Sequence, residues 1–372
     1  MSVPRVYALG NAPILPLLCH EIASLSIQPK VPEVVLLLQD QKKLGRFLNN
    51  DSKLTIQTEY NSDQKYQQFM ASCSPPVYAT GELVRMKNLI VGECRPKSFT
   101  MSLQKYAQSI DSDTNILLLN PTFGLIDFLY RNLWVYEKDR PNVFIGEGCT
   151  DQGILSAREF TLKFTGYKEP FNISSVPRSL DEYDHEVELQ RVAQFERENE
   201  MLRLLNMINK EETLCALNVV NYPYGDLLLI RYENLILNSC IHPLVAIFDS
   251  QNSSELLQSK HAMSLVKQLI HEQVMILRAN NKFLFSIPNA TVALNENRLY
   301  DLVVYKLKFN PFPKMTKDIS ILNRTDVNYL NGYFSRLAQK KGINAALNDS
   351  LTKIVKSKVD LMRNRVLNYK YL

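Results

Sequence analysis

Short, nearly unbroken apolar runs recur through the first half of the chain: RVYAL at 5–9, VVLLL at 34–38 and ILLL at 116–119. Runs of this length are strand-sized, and continuous rather than alternating hydrophobicity marks a strand covered on both faces. The pattern predicts strands over 5–9, 33–38, 54–58, 88–92, 115–119, 142–146, 159–165 and 214–220. Between some of them the pattern predicts helices, over 13–25, 98–109 and 124–131. Such β/α alternation implies an α/β domain with a mostly parallel sheet and helices on both faces.

The pattern changes twice. Residues 181–212 carry ten acids and four bases around Phe195, Leu202 and Leu205. One solvated helix with a narrow apolar face is predicted there. From about Gly225 onward everything reads as helix: 227–248, 254–279, 296–308, 325–341 and 346–366. A boundary at the turn YPYGD divides the chain into an α/β domain, 1–222, and an all-helical domain, 223–372. No internal repeat is visible.

Composition adds one asymmetry. The chain has 372 residues and a net charge of +5. From Lys306 to the end there are 14 Lys or Arg against 4 Asp or Glu, so the first 305 residues carry a net negative charge. A basic C-terminal third suits either a polyanionic neighbour or simple solvation. No apolar run reaches the ~18 residues of a membrane span. The six cysteines, at 19, 73, 94, 149, 215 and 240, form no C-x-x-C pair. They read as reduced, mostly buried thiols, and no Cys/His spacing suggests a metal site. The few residues before the first strand leave no room for an Arg-rich presequence.

The opening turn has the shape of a dinucleotide-binding turn without its composition. Gly10 supplies the tight bend, but Ala12 and Leu15 stand where G-x-G-x-x-G has its second and third glycines. Pro13 removes an amide donor. The stretch Gln39 to Lys43 is expected as a basic loop, and Asn120-Pro121-Thr122-Phe123 as another degenerate loop. No cofactor is expected at this Rossmann-like turn.

Near the other end, Thr325, Asp326, Val327, Asn328, Tyr329, Leu330, Asn331 and Gly332, followed by Gly342, Asn348 and Leu351, form a recognisable signature. With NILLLNPTFGLIDFL at 115–129 and RPNVFIG at 140–146, it resembles the ketopantoate reductase family along nearly the whole chain. The resemblance implies a 6-phosphogluconate-dehydrogenase-like, ketopantoate-reductase-like architecture. It also implies NADPH-dependent reduction of a 2-keto acid by a lysine in a helix of the form K-L-x-x-N-x-x-x-N-P-L. Here Asn238, Pro243 and Leu244 fit that helix, while Asn234 holds the lysine position and His242 the second asparagine. An amide cannot supply a proton at neutral pH. Histidine is a side-chain type able to exchange a proton near neutrality, but His242 lies ~12 Å away along the helix. The family's substrate-binding glutamate falls on Asp326, and its serine stretch on Pro313 and Lys314. A catalytic role is therefore expected for none of these positions.

PRVYALGN, QFMASCSPPV and the terminal YKYL narrow the resemblance to the fungal mitochondrial activators of cytochrome b translation. That resemblance implies a noncatalytic role in a mitochondrion, on the matrix side of the inner membrane. It also implies the cytochrome b mRNA leader, the mitochondrial ribosome or other translational activators as partners. Phosphate contacts would then come from Lys340, Lys341, Lys353, Lys356, Lys358, Arg363 and Arg365, with Tyr369 and Tyr371 available for stacking. Two other readings stay open: an active reductase with rearranged groups, and a pseudoenzyme that senses a metabolite.

Overall fold

A computed structural model describes residues 3–58, 64–93, 95–148, 154–164, 170–178, 183–211, 217–309 and 314–369. The expectations placed on Cys94, Cys149, Cys215, Pro313 and Tyr371 lie outside these residues, as does the Tyr369 side chain. The chain divides into two compact units, Met1–Tyr224 and Gly225–Leu372.

Among the described residues the first unit contains twelve strands: β1 Val6–Gly10, β2 Val34–Leu37, β3 Lys53–Thr58, β4 Gln64–Gln68, β5 Met70–Ser72, β6 Asn88–Gly92, β7 Asn115–Leu119, β8 Asn142–Gly148, β9 Ile154–Arg158, β10 Thr161–Phe164, β11 Pro170–Ser175 and β12 Asn218–Asn221. Eight of them form one sheet in the order β12-β11-β8-β7-β6-β1-β2-β5. All neighbours in it are parallel except β8 and β11. The apolar runs that identify β1, β6 and β7 are buried almost throughout, as a doubly covered sheet requires. β1 pairs with β2 on one side and β6 on the other, so the strand order reverses beside β1. In open α/β sheets the crevice at such a reversal is where ligands sit.

Three expectations are corrected here. The predicted strands 54–58 and 159–165 belong to a second, four-stranded sheet, β4-β3-β10-β9, whose exposed polar edge β4 hid it from a search for buried runs. Of residues 39–43 only Gln39 and Asp40 are loop, because Asp40 accepts a hydrogen bond from the Lys43 amide at 2.8 Å and caps a helix over Gln41–Asn49. The acidic segment forms two helices rather than one, His185–Glu198 and Glu200–Met207. Its break is at Asn199, whose side chain accepts from the amides of Met201 and Leu202. The same side chain donates to Asn115 Oδ1 at 2.7 Å, at the start of β7. Leu202 and Leu205 are buried, and Phe195 packs edge-on to Phe144 at 6.4 Å.

The second unit is helical. Its longest elements are Tyr224–Ile247, Lys260–Asn280, Glu296–Phe309, Asn331–Lys341 and Ala346–Tyr369. The helix expected over 325–341 starts only at Asn331, after a 3-10 turn at Asp326–Asn328, and 254–279 likewise begins as a 3-10 turn. A short helix at Lys314–Ser320 was not legible in the pattern. Ala246, Met315, Ile319, Val327, Val355 and Val359 form one of its apolar clusters. Among the described residues no helix is long and apolar enough to cross a membrane.

Candidate functional site

The opening turn follows β1 at the strand-order reversal. Gly10 has φ +121°, and a Cβ there would lie 1.9 Å from the Gly92 carbonyl oxygen. That oxygen accepts from the amides of both Asn11 and Ala12, at 2.8 and 2.9 Å. The Leu15 amide donates to the Ala12 carbonyl, and Pro13 has no amide hydrogen. A pyrophosphate cradle needs backbone N–H groups that point outward. Here those donors already hold the turn against the end of β6. The bulk of Leu15 is accommodated by the same neighbour, since a Cβ on Gly92 would stand 3.2 Å from Leu15 Cβ and 3.1 Å from Ala12 Cβ. Room for the Leu15 side chain thus comes from the glycine on the strand it packs against. These residues do not fit the diphosphate of a dinucleotide.

Beside the turn lies a cleft of about 270 Å³, walled by Leu9, Leu37, Leu38, Met101 and Tyr106. Small-molecule sites run to roughly 300–1,000 Å³, so it is fragment-sized. Its polar groups also suit an anion poorly. Glu93 places a carboxylate in the lining, held by Ser102 Oγ at 2.6 Å. The Lys105 ammonium donates to the carbonyls of Cys73 and Gln39 at 2.6 and 3.2 Å. The remaining lining cation is Lys43. On the other side of the sheet's centre, Asn120 sits at φ 45° and exchanges two 3.0 Å hydrogen bonds with the backbone of Gly148, pinning β7 to β8.

In the helical unit, Asn234 is exposed and Asn238 and His242 are half-buried on the helix Tyr224–Ile247. The lysine position is not far from an amine. Lys306, on the helix Glu296–Phe309, donates to Asn234 Oδ1 at 3.3 Å. Burial pulls its ammonium below the ordinary lysine value, and the Glu233 carboxylate acts in the opposite direction. Glu233 itself pairs with Arg298 at 2.5 Å. Sequence reasoning missed Lys306, which lies 72 positions from Asn234 with no spacing to connect them. Asp326 and Lys314 form an ion pair of 2.9 Å, so the two positions neutralise one another.

The signature residues that do match the family play a different part. Pro243 lacks the amide that would bond to the carbonyl of Ser239, four residues back. Asn331, fully buried, donates to that carbonyl at 3.1 Å. It also donates to Asn348 Oδ1 at 3.0 Å, as does Gln273, which reaches Ser239 Oγ at 2.8 Å. Asn348 Nδ2 and the amide of Asn348 both donate to Glu272 Oε1, at 2.7 and 2.9 Å. One polar knot thus ties four helices, with every residue in it hydrogen-bonded through at least one atom, although the buried Asn331 Oδ1 has no partner among the described residues.

The basic candidates separate into two groups. Lys358 donates to the Ala246 carbonyl at 2.6 Å and to Asp249 at 2.5 Å, closing the end of the helix Tyr224–Ile247. Arg363 donates to the Leu322 carbonyl at 3.1 Å, and Lys353 pairs with Asp349 at 2.7 Å. Lys358 and Arg363 are thus anchored to their own fold, whereas Lys353 stays exposed and pairs with an acid one turn away on its own helix. Lys340, Lys341, Lys356 and Arg365 are exposed. Among the described residues no three His, Cys, Asp or Glu side chains come together as a metal group. Cys19 and Cys240 are buried thiols, and burial pushes Cys19 up to about 12.

Residues 226–359 match the family described as Ketopantoate reductase PanE/ApbA C terminal. The chain is 37% identical over 388 positions to the cytochrome B translational activator CBS2 of Saccharomyces cerevisiae, covering 100% of this chain and 99% of that protein. The chain belongs to the CBS2 family. It is also 27% identical to a probable 2-dehydropantoate 2-reductase of Schizosaccharomyces pombe, over 97% of this chain and 98% of that one. The probable 2-dehydropantoate 2-reductase panE from Bacillus subtilis shares the fold, with a TM-score of 0.65, 16% identity and coverage of 95% and 99%.

Proposed function

We propose that this protein is a noncatalytic activator of cytochrome b mRNA translation in the mitochondrion. It acts through the mRNA leader or the mitochondrial ribosome, on the matrix side of the inner membrane. The observation that carries this reading is the 37% identity to CBS2 along the whole chain. The geometry is consistent with it: the amides after Gly10 are taken up by Gly92, and an amide replaces the proton-donating lysine at Asn234. Expression in S. cerevisiae cells lacking CBS2 tests the reading. Restored mitochondrial synthesis of cytochrome b is the expected result, and organelle crosslinking should recover the leader or ribosomal RNA. Absence of both would overturn it.

A second reading, reduction of a 2-keto acid with NADPH, draws support from the hydrogen bond between Lys306 and Asn234, which sets an amine beside the family's lysine position. Its test is NADPH consumption with ketopantoate. Saturable micromolar NADPH binding with turnover would favour it over the activator.

A further inference from the structure

The helix Glu296–Phe309 buries Leu299, Val303 and Leu307 and turns an aromatic face the other way. Tyr305 and Phe309 are 61% and 67% exposed, with ring centroids 4.7 Å apart and planes tilted by 45°. Single exposed apolar residues are ordinary. Two large rings in mutual contact, on the side of a helix away from its core, form a continuous apolar plate with no use in folding beyond a small i,i+4 contribution.

The intervening sequence decides what the plate suits. It reads Tyr305-Lys306-Leu307-Lys308-Phe309, with Lys306 turned to Asn234 and Lys308 exposed. Centres of protein interfaces are depleted in lysine, whereas single-stranded nucleic acid is bound by aromatic faces beside cations. Between the two rings, the exposed Lys308 is the group that complements a polyanion. Asp301 lies one turn before Tyr305, which places the favourable end for a phosphate at Lys308.

We infer that Tyr305 and Phe309 form a base-stacking plate for single-stranded RNA, with Lys308 contacting an adjacent phosphate. This rests on the reading that the chain works on messenger RNA, and it names the surface involved. Stacking is tolerant of base identity, so the plate contributes affinity and strandedness rather than sequence choice.

The test uses the full chain and a fluorescein-labelled single-stranded 15-mer RNA, with its duplex as the comparison, by fluorescence anisotropy at several salt concentrations. The wild-type chain is expected to prefer the single strand. The Tyr305→Ala/Phe309→Ala double variant should lose roughly tenfold or more in affinity, with an unchanged salt slope and thermal midpoint. Tyr305→Phe should retain binding. Wild-type binding that survives the double substitution overturns the plate and leaves the activator reading standing. A double variant that no longer associates with ribosomes but keeps its RNA affinity also overturns it, making the pair a protein-docking surface. A wild-type chain that binds no RNA removes the plate, while rescue of cells lacking CBS2 would show that the activator reading survives without it.

Discussion

Asn331 donates a 3.1 Å hydrogen bond to the carbonyl of Ser239, the group that Pro243 leaves without its helical amide. The two residues belong to separate helices, and each explains the presence of the other. Replacing Asn331 by Ala strands a buried carbonyl, which costs about 1–3 kcal/mol. Pro243→Ala restores an amide to that carbonyl, so Asn331→Ala should cost less in its presence. Urea unfolding of the four proteins of this cycle is expected to give a coupling of at least ~0.5 kcal/mol. Strict additivity would mean that the hydrogen bond does not compensate the proline.

That pair also shows what the sequence disclosed. Continuous apolar runs gave the parallel strands, because burial on both faces leaves no polar alternation to misread. The C-terminal signature was legible because Asn331 and Asn348 are fixed by the fold itself. The edge strand β4 was not, since its side chains are largely exposed and polar. Nor was the fate of the lysines. The sequence placed Lys358 and Arg363 among the phosphate candidates with Lys356 and Arg365. The carbonyls that anchor Lys358 and Arg363, at Ala246 and Leu322, are 112 and 41 positions away. Hydrogen bonds across that span have no local periodicity.

Gly10 and Gly45 should respond in opposite directions to the same substitution. A methyl at Gly10 meets the Gly92 oxygen at 1.9 Å and requires φ +121°, so Gly10→Ala should destabilise by about 3 kcal/mol or more. Gly45 lies inside the helix Gln41–Asn49 with nothing within 4 Å, and Gly45→Ala should stabilise by about 0.5–1 kcal/mol. Thermal melts decide it. A neutral Gly10→Ala would contradict the close approach of turn and strand.

Asn234→Lys rebuilds the family's lysine in sequence but not its surroundings. The new ammonium would share its place with that of Lys306, which lies 3.3 Å from the Asn234 oxygen. Like charges at an exposed site cost about 0.5–1 kcal/mol, seen as a small fall in melting temperature. No NADPH oxidation with ketopantoate is expected, because the amides of Asn11 and Ala12 still face Gly92. Turnover by this variant would show that the opening turn accepts the dinucleotide after all.

His20 gives the α/β unit a pH dependence. It is 3% exposed, and burial lowers its imidazole to about 4, with the Lys65 ammonium acting the same way. The unfolded chain, with an ordinary histidine near 6.5, binds the proton first as pH falls. The stability associated with neutral His20 is complete above pH ~6.5 and is lost progressively down to pH ~4. A fall from 6.5 to about 4 corresponds to about 3 kcal/mol. His20→Phe should flatten the urea midpoint over that window, and an unaltered slope would assign the acid sensitivity elsewhere.

The two groups of cations make a separable prediction about docking. Lys358 holds the Ala246 carbonyl and Asp249. Lys358→Ala should therefore lower stability by about 1 kcal/mol and leave the salt dependence of RNA affinity nearly intact. Lys340, Lys341, Lys356 and Arg365 are exposed. Their combined replacement by Glu should leave the melting temperature close to wild type. It should reduce the slope of log affinity against log salt by about 0.7 for each phosphate no longer neutralised. A quadruple variant with an unchanged slope would remove this surface from the binding site. A larger slope change from Lys358→Ala would mean that the helix-closing lysine, not the exposed set, meets the phosphates.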